Sequence, residues 1–318
     1  MASVGDTLAN CTGTGTSTDP YIFKNWKGFR ECIVVPSAYC EYDSTVPENE
    51  RIINLNDESP DGVSAIVFKC TSINGNGCSI INANITSYVG ESWSACAMFT
   101  ETGCSIKNIN FLNVILRYQH LISSNAFMTF TNCQFSVLFL NPTNTDFTSA
   151  GCAYAKFVRC GITIKTSDNS ASSCNTIFSS SGSSTASGVY ADKCIIDLRV
   201  TTLNPDTQGY IYVGAKSNYR VFLSNIKVIG RVPNNVSLGM GIYNSAHVTY
   251  NNIVVDCEAG YVSPWNGDTC GLINTSKIAN PSDNSDYIAQ NILPVTSEEL
   301  VNIDFLDSIG FPVLKADE

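Results

Sequence analysis

Charge is scarce in this chain. Asp, Glu, Lys and Arg make up 14% of its 318 residues, about half the usual share. Long solvated helices need charged outer faces, so that shortage disfavours them. Lys and Arg number 18 against 28 acidic residues, the net charge is −10, and no basic run occurs. Binding to nucleic-acid phosphates is therefore not expected. The acidity itself reads as solubility. Histidine is rarer still. His120 and His247 are the two present, and neither accompanies a nucleophile pattern such as Gly-x-Ser-x-Gly. No Cys-x-x-Cys spacing occurs, so no metal or cofactor is expected. No stretch of 18 apolar residues occurs, so membrane insertion is not expected. Met1 to Asn10 carries neither a basic n-region nor an apolar h-region. That points to synthesis in a cytosol, where thiols stay reduced.

What the chain has instead is Ser, Thr, Asn and Gly, a mixture for strands and turns, and a repeat. Six segments, 108–111, 132–137, 159–164, 193–198, 225–228 and 252–257, each open on a polar residue and then alternate apolar with variable. The openers are Asn108, Asn132, Arg159, Lys193, Asn225 and Asn252, spaced 24, 27, 34, 32 and 27 residues apart. One element recurring at such a period means a solenoid, in which each repeat buries its face against its neighbours. Further strand candidates, such as those around Tyr190, Tyr212 and Tyr243, sit between the openers. Two or three short strands per turn make a parallel β-helix; a propeller blade needs about 40 residues and antiparallel hairpins. The expected fold class is all-β, a rod of about seven or eight turns at roughly 5 Å each.

Four regions follow. Residues 1–18 are small and polar and read as a loose or docking lead-in. Residues 19–62 read as an N-terminal cap: Asn25 can cap a short helix with Trp26, Phe29 and Ile33 on one face. The β-helix itself spans 63–262. It begins with a tight turn at Asn74-Gly75-Asn76-Gly77, and Asn82 is read as the repeat position before Asn108. Residues 263–318 read as a C-terminal cap, where Thr296-Ser297-Glu298-Glu299 opens a helix carrying Leu300, Ile303 and Leu306.

The opener has a mechanism. Asn tolerates a left-handed backbone and can hydrogen-bond its own copies in adjacent turns; Arg159 and Lys193 interrupt such a ladder. Among the 14 cysteines, Cys133, Cys160 and Cys194 share one repeat position. Cys78 and Cys104, each in Gly-Cys-Ser-Ile, are read as sharing another. Both sets are expected as small buried thiols stacked along the core.

Candidate site residues are few. Glycan hydrolases on such rods use paired carboxylates. Asp192, Asp197, Asp256 and Glu258 are the acidic residues to consider. Asp197 and Asp256 are weak catalytic candidates at comparable strand positions two repeats apart, about 10 Å by strand spacing. That is too far for a retaining pair, and both are expected as solvent-facing carboxylates. The histidines are expected as polar surface or rung residues. The better lead is aromatic: Tyr210, Tyr212, Tyr243, Tyr261 and Trp265, suited to sugar faces or protein contacts.

At Gly15-Thr16-Ser17-Thr18-Asp19-Pro20-Tyr21, Trp26, Phe29 and Ile73-Asn74-Gly75-Asn76-Gly77, and at Leu306-x-x-Ile309-Gly310-Phe311-Pro312, the chain resembles pectate-lyase-like β-helix proteins encoded by bacteriophages and gut bacteria. The resemblance implies a single-stranded right-handed parallel β-helix with short N- and C-terminal capping helices. It further implies a virion structural protein (tail spike, fibre or appendage) made in the host cytoplasm and attaching to the host surface; the family also includes polysaccharide-cleaving enzymes, and the lack of a well-spaced carboxylate pair leans against an enzyme here. The partners it implies are two further copies in a homotrimer, other virion proteins and a host cell-surface glycan. The alternatives are a phage polysaccharide depolymerase on the same rod and a bacterial surface adhesin.

Overall fold

Apolar and polar residues alternate over stretches too short for helices, and such stretches form strands. The computed structural model describes residues 1–88, 96–100, 102–117, 120–124, 126–140, 145–148, 154–166, 174–178, 188–197, 209–212, 220–239, 247–261 and 288–290. The fold is all-β. Every ladder between its named strands is parallel.

The strands stand in three columns. The first is made by Tyr21–Phe23, Tyr39–Tyr42, the start of Ser72–Ile81, the start of Cys104–Leu116, Met128–Thr131, Tyr154–Val158, the starts of Gly188–Asp197, Arg220–Gly239 and His247–Tyr261, and Ile288–Gln290. One row of paired residues runs its length: Tyr21, Cys40, Ile73, Ile106, Phe130, Phe157, Ala191, Leu223, Tyr250 and Ala289. The second column carries the row Ile53, Ile80, Phe111, Phe135, Ile162, Ile196, Val228 and Val255. The third holds Ile66–Phe68, Cys96–Thr100, His120–Ser124, Thr145–Thr148, Cys174–Thr176, Gly209–Tyr212 and the end of Arg220–Gly239.

The repeat seen in sequence is the pairing register. Asn110, Gln134, Gly161, Ile195, Lys227 and Val254 pair in succession, at the same 24, 27, 34, 32 and 27 residue steps. The first column is longer than the repeat. Its earliest two strands lie within the stretch read as a cap, and Ile288–Gln290 pairs with residues 249–251, past residue 262. Strands of three or four residues are too short for alternation to register as a period.

From Asn108 onward, corners between the first and second columns are turned by single residues; the earlier corner takes three, 75–77, with Asn76 and Gly77 both left-handed. Asn76, Asn108, Asn132, Arg159 and Lys193 hold φ of 49, 53, 54, 53 and 54°, the left-handed region that Asn tolerates best after Gly. The Asn108 amide donates to Asn74 Oδ1 at 3.0 Å, and the Asn132 amide to Asn108 Oδ1 at 2.9 Å. Gly75 makes room for the stack: a Cβ there would lie 2.4 Å from the Asn108 carbonyl oxygen. A second ladder stands beside the first. Asn82 donates to Asn54 at 2.9 Å and Asn113 to Asn82 at 2.7 Å, with φ of 62 and 50° at Asn82 and Asn113. Asn82 therefore belongs to a different corner from Asn108, contrary to the sequence reading. The earlier rungs have a second corner a few residues on, at Asn82 and Asn113, and spacing alone does not say which one an Asn serves.

Rows facing the core are apolar. Phe130 stacks on Phe157 at 5.2 Å and Phe111 on Phe135 at 5.7 Å. Phe135, Phe147 and Phe157, one from each column, touch one another. Cys133, Cys160 and Cys194 are buried free thiols in one row, capped by Ile226. Each donates to the carbonyl two residues back and to one in the preceding rung, as Cys160 does to Val158 at 3.4 Å and Phe130 at 3.5 Å. Cys78 pairs with Ile109 and so belongs to this same row. Cys104 pairs with Met128 in the first column, so Cys78 and Cys104 do not share a position. Their identical Gly-Cys-Ser-Ile context reflects two different corners.

The helix Trp26–Ile33 covers the first rungs. Asn25 accepts from the Gly28 N–H at 2.9 Å, and Trp26, Phe29, Cys32 and Ile33 are buried. Phe29 packs edge-on against Phe23 and Phe68. The lead-in is not loose. Tyr21 donates its hydroxyl to the carbonyls of Ser3 and Asp6, Thr12 bridges Ile22, and Asn10 donates its backbone N–H to Glu31 of the helix at 2.8 Å. Small polar residues here spend their hydrogen bonds on turns. The helix expected near 297–309 lies outside the described residues.

Lys24 and Asp43 clamp the first two rungs at 2.7 Å. The Lys24 ammonium foremost, then the hydroxyl and N–H of Thr45, hold the Asp43 carboxyl down to about 2. A depressed carboxylate contributes stability above its unfolded pKa of about 3.9 and loses it as pH falls toward its folded value. Solvent around Lys24, 62% exposed, limits the contribution to about 1 kcal/mol. Unfolding free energy should therefore drop between about pH 4 and pH 2, and less so in Asp43→Asn; equal slopes by chemical denaturation would remove the clamp. In the thiol row, Cys160→Ala should cost about 1–2 kcal/mol and Cys160→Asp several, because the latter buries an unpaired charge. Rapid alkylation of native Cys133, Cys160 and Cys194 would contradict that burial.

Candidate functional site

The outward face of the first column carries an exposed aromatic ring. Phe127 stands just before Met128–Thr131 and is 49% exposed. Its ring lies 6.0 Å from that of Tyr154, which opens the next strand. Flanking positions are bare: Tyr154 pairs onward with Gly188, and Gly103 sits against the Phe127 backbone on the other side. Two residues along, the outward row reads Ser105, Thr129, Lys156 and Tyr190. Lys156 is exposed and Tyr190 half-buried. Lys107 is exposed in the adjoining row. The row ends at the corner, where Arg159 and Lys193 take the places that Asn108 and Asn132 hold in earlier rungs.

This gives a strip with two neighbouring rings, tilted 39° to each other, at one edge and Lys156, Arg159 and Lys193 along the other. Ring faces suit the C–H faces of sugars. Cations suit carboxylates or sulfates. In a chain of net charge −10 such a strip is a local exception whose charge suits an anionic group. The strip can bind. Among the described residues no cluster of His, Cys, Asp and Glu is arranged to hold a metal ion, and no helix is long and apolar enough to cross a membrane.

The sequence candidates fall elsewhere. Asp197, Ile229 and Asp256 are paired in one row of the second column, two strand spacings end to end. Asp197 is 5% exposed, so it does not face solvent as expected. Much of the outward face around it is covered: Gln134, Ser136 and Ile195 are buried too and Thr163, between Ser136 and Asp197, is half-buried; alternation along a strand cannot reveal a covered outer face. Among the other acidic residues, Asp192 lies half-buried in the first column, paired with Val158, and Glu258 on the strand His247–Tyr261. Tyr210 and Tyr261 share one row of the third column through Ser237, and Tyr212 pairs with Gly239. Tyr243 and Trp265 lie outside the described residues. His120 is a buried rung residue, and His247 pairs with Arg220. The sequence reading passed over Phe127 and Tyr154. Their signal was present: each precedes an alternating strand, in the same phase, 27 residues apart.

No protein-family model, curated protein or solved structure matches the chain.

Lys193 tests the corner directly. A lysine at φ 54° carries roughly 1 kcal/mol of left-handed strain that Asn largely avoids. Lys193→Asn should therefore raise unfolding free energy by about 0.5–1 kcal/mol. A loss of stability in urea titration would mean that the lysine is held by contacts stronger than the strain.

Proposed function

We propose that this chain is a non-enzymatic attachment protein of a bacteriophage virion, a tail spike, fibre or appendage. In this reading it is a right-handed parallel β-helix whose first-column face binds an acidic glycan of the host surface. The observation that carries the reading is exposed Phe127 beside half-buried Tyr154, with Lys156, Arg159 and Lys193 on the same face of parallel strands. Three features support the β-helix. Parallel columns repeat in register, Phe135, Phe147 and Phe157 meet in one core, and single left-handed residues turn the corners. Right-handed crossovers are the rule for parallel strands. Copies would assemble flank to flank, since the helix Trp26–Ile33 covers one end; a closed trimer is the simplest such ring. A depolymerase would rest on Asp197 and Asp256, and the burial of Asp197 argues against it.

Titrating the full chain with a soluble uronic-acid polysaccharide tests the face. Binding should weaken by roughly tenfold in Phe127→Ala or Tyr154→Ala. Lys156→Ala should weaken it further and flatten its salt dependence. Absence of binding to both acidic and neutral surface polysaccharides would sink the attachment reading. Release of oligosaccharides, lost in Asp197→Asn, would favour the depolymerase. Sedimentation of the same sample reports assembly: a monomer at micromolar concentration removes the trimer alone.

A further inference from the structure

Charge on the first-column face alternates from rung to rung. Between the first outward residue of each strand and its corner, the rung of Ser72–Ile81 carries no charged residue, that of Cys104–Leu116 carries Lys107, and that of Met128–Thr131 carries none. The rung of Tyr154–Val158 carries Lys156 and Arg159, and that of Gly188–Asp197 carries Asp192 and Lys193, which cancel. Lys107 pairs with Thr131 and Thr131 with Val158, so Lys107 stands two rungs from Lys156. Both lysines are exposed. Glu41, two rungs before Lys107 in the same row, has the opposite sign and ends the series. On the other side Arg220, opening the strand two rungs after Tyr154, resumes it.

The uncharged rung between the two lysines offers something different. Its Phe127 is exposed, and its Thr129 and Thr131 are half-buried on the outward face. A carboxylate held against that ring gives up water without gaining a counter-charge. An uncharged sugar instead lays its C–H face on the ring and meets the threonine hydroxyls with its own. Rungs are about 4.8 Å apart, close to the advance of one sugar along an extended chain. A linear glycan lying along the rod therefore meets one rung per sugar and finds a net cation at every second one.

Resting on the attachment reading, we propose that the glycan of this face is a linear polymer in which carboxylated and uncharged sugars alternate. Its carboxylates fall on the rungs of Lys107 and Lys156, and the uncharged sugar between them lies on Phe127. The face then selects by the order of charges in the ligand rather than by their number. A polymer charged at every sugar has the higher charge density, yet it must set a carboxylate on the Phe127 rung, where no cation offsets it. That uncompensated charge is the repulsive element that specificity needs beside the attractive one.

The two lysines also fix the phase of the ligand. Sliding an alternating chain by one sugar takes both carboxylates off their lysines at once, because Lys107 and Lys156 are an even number of rungs apart. The lysines stand in neighbouring outward rows, Lys107 in that of Thr131 and Lys156 in that of Thr129. The long flexible stem of lysine spans that offset.

The test titrates the full-length protein by calorimetry, at about 0.15 M salt, with two hexasaccharides. One is from hyaluronan, in which glucuronic acid alternates with N-acetylglucosamine; the other is of galacturonic acid, charged at every sugar. The hyaluronan hexasaccharide should bind about fivefold more tightly. Thr129→Lys puts a cation in the uncharged rung. It should tighten the galacturonate hexasaccharide about fivefold and change hyaluronan by no more than roughly twofold. Circular dichroism certifies the variant as folded; if Thr129→Lys does not fold, Thr131→Lys charges the same rung. Equal binding of the two hexasaccharides, or tighter binding of galacturonate, would overturn the alternation and leave the attachment reading standing. An unchanged preference in the folded lysine variant would do the same. Binding of neither hexasaccharide would overturn both.

Discussion

Everything in this fold depends on turning a corner in one residue. A strand of the first column and the strand of the second that follows it must both pair with the rung below. A longer connection, such as 75–77 opposite the single Asn108, has to be accommodated outside the pairing. A left-handed residue removes that requirement, because one φ near +50° redirects the chain while both flanking strands keep their pairing. The backbone cost of that φ is lowest for Gly and Asn. Asn adds something Gly lacks, a side-chain amide that bonds to its copy one rung away, as Asn132 does to Asn108 and Asn108 to Asn74.

Once the corners are fixed, the rest can vary. Steps between paired rungs range from 24 to 34 residues, and the surplus lies between columns rather than within them. The core rows accept Cys, Ile or Phe at equivalent positions because each side chain meets mainly the rungs before and after it. Where one row narrows to Cys133, Cys160 and Cys194, Phe130, Phe135 and Phe157 supply the volume close by. Volume is conserved across the rung rather than at each site, which is how close-packed cores tolerate exchange.

The sequence was most legible where one residue type does one job. The six openers, the left-handed Asn and the row of thiols could all be read from spacing, as could the helix cap at Asn25 and its face of Trp26, Phe29 and Ile33. It was least legible where two structural positions use the same residues. Asn82 and Asn108 look alike but turn different corners. Cys78 and Cys104 have the same neighbours but stand in different columns. The candidate site was hidden for a related reason. Period-two alternation tells inside from outside, yet Phe127, just before its strand, and Tyr154, first in its own, were passed over. It does not tell an open outer face from a covered one, and so Asp197 was read as exposed. The polar lead-in reads as loose by composition, yet its bonds to Glu31 and Tyr21 are long-range and leave no local pattern.

The amide ladders also have a direction. In each, the Nδ2 of a later rung donates to the Oδ1 of an earlier one: Asn132 to Asn108 to Asn74, and Asn113 to Asn82 to Asn54. Side-chain dipoles thus add head to tail along the rod, and the two columns of amides run the same way, so they do not cancel. The positive pole points toward the N-terminal end. There the Glu41 carboxylate accepts from Asn74 and Asn76, as an acidic residue does at the start of a helix. The position beyond the opposite pole is held by Arg159. The stack is therefore a polarised wire of side chains with an anion at its head and a cation after its tail. A swap of those two charges would oppose it from both ends.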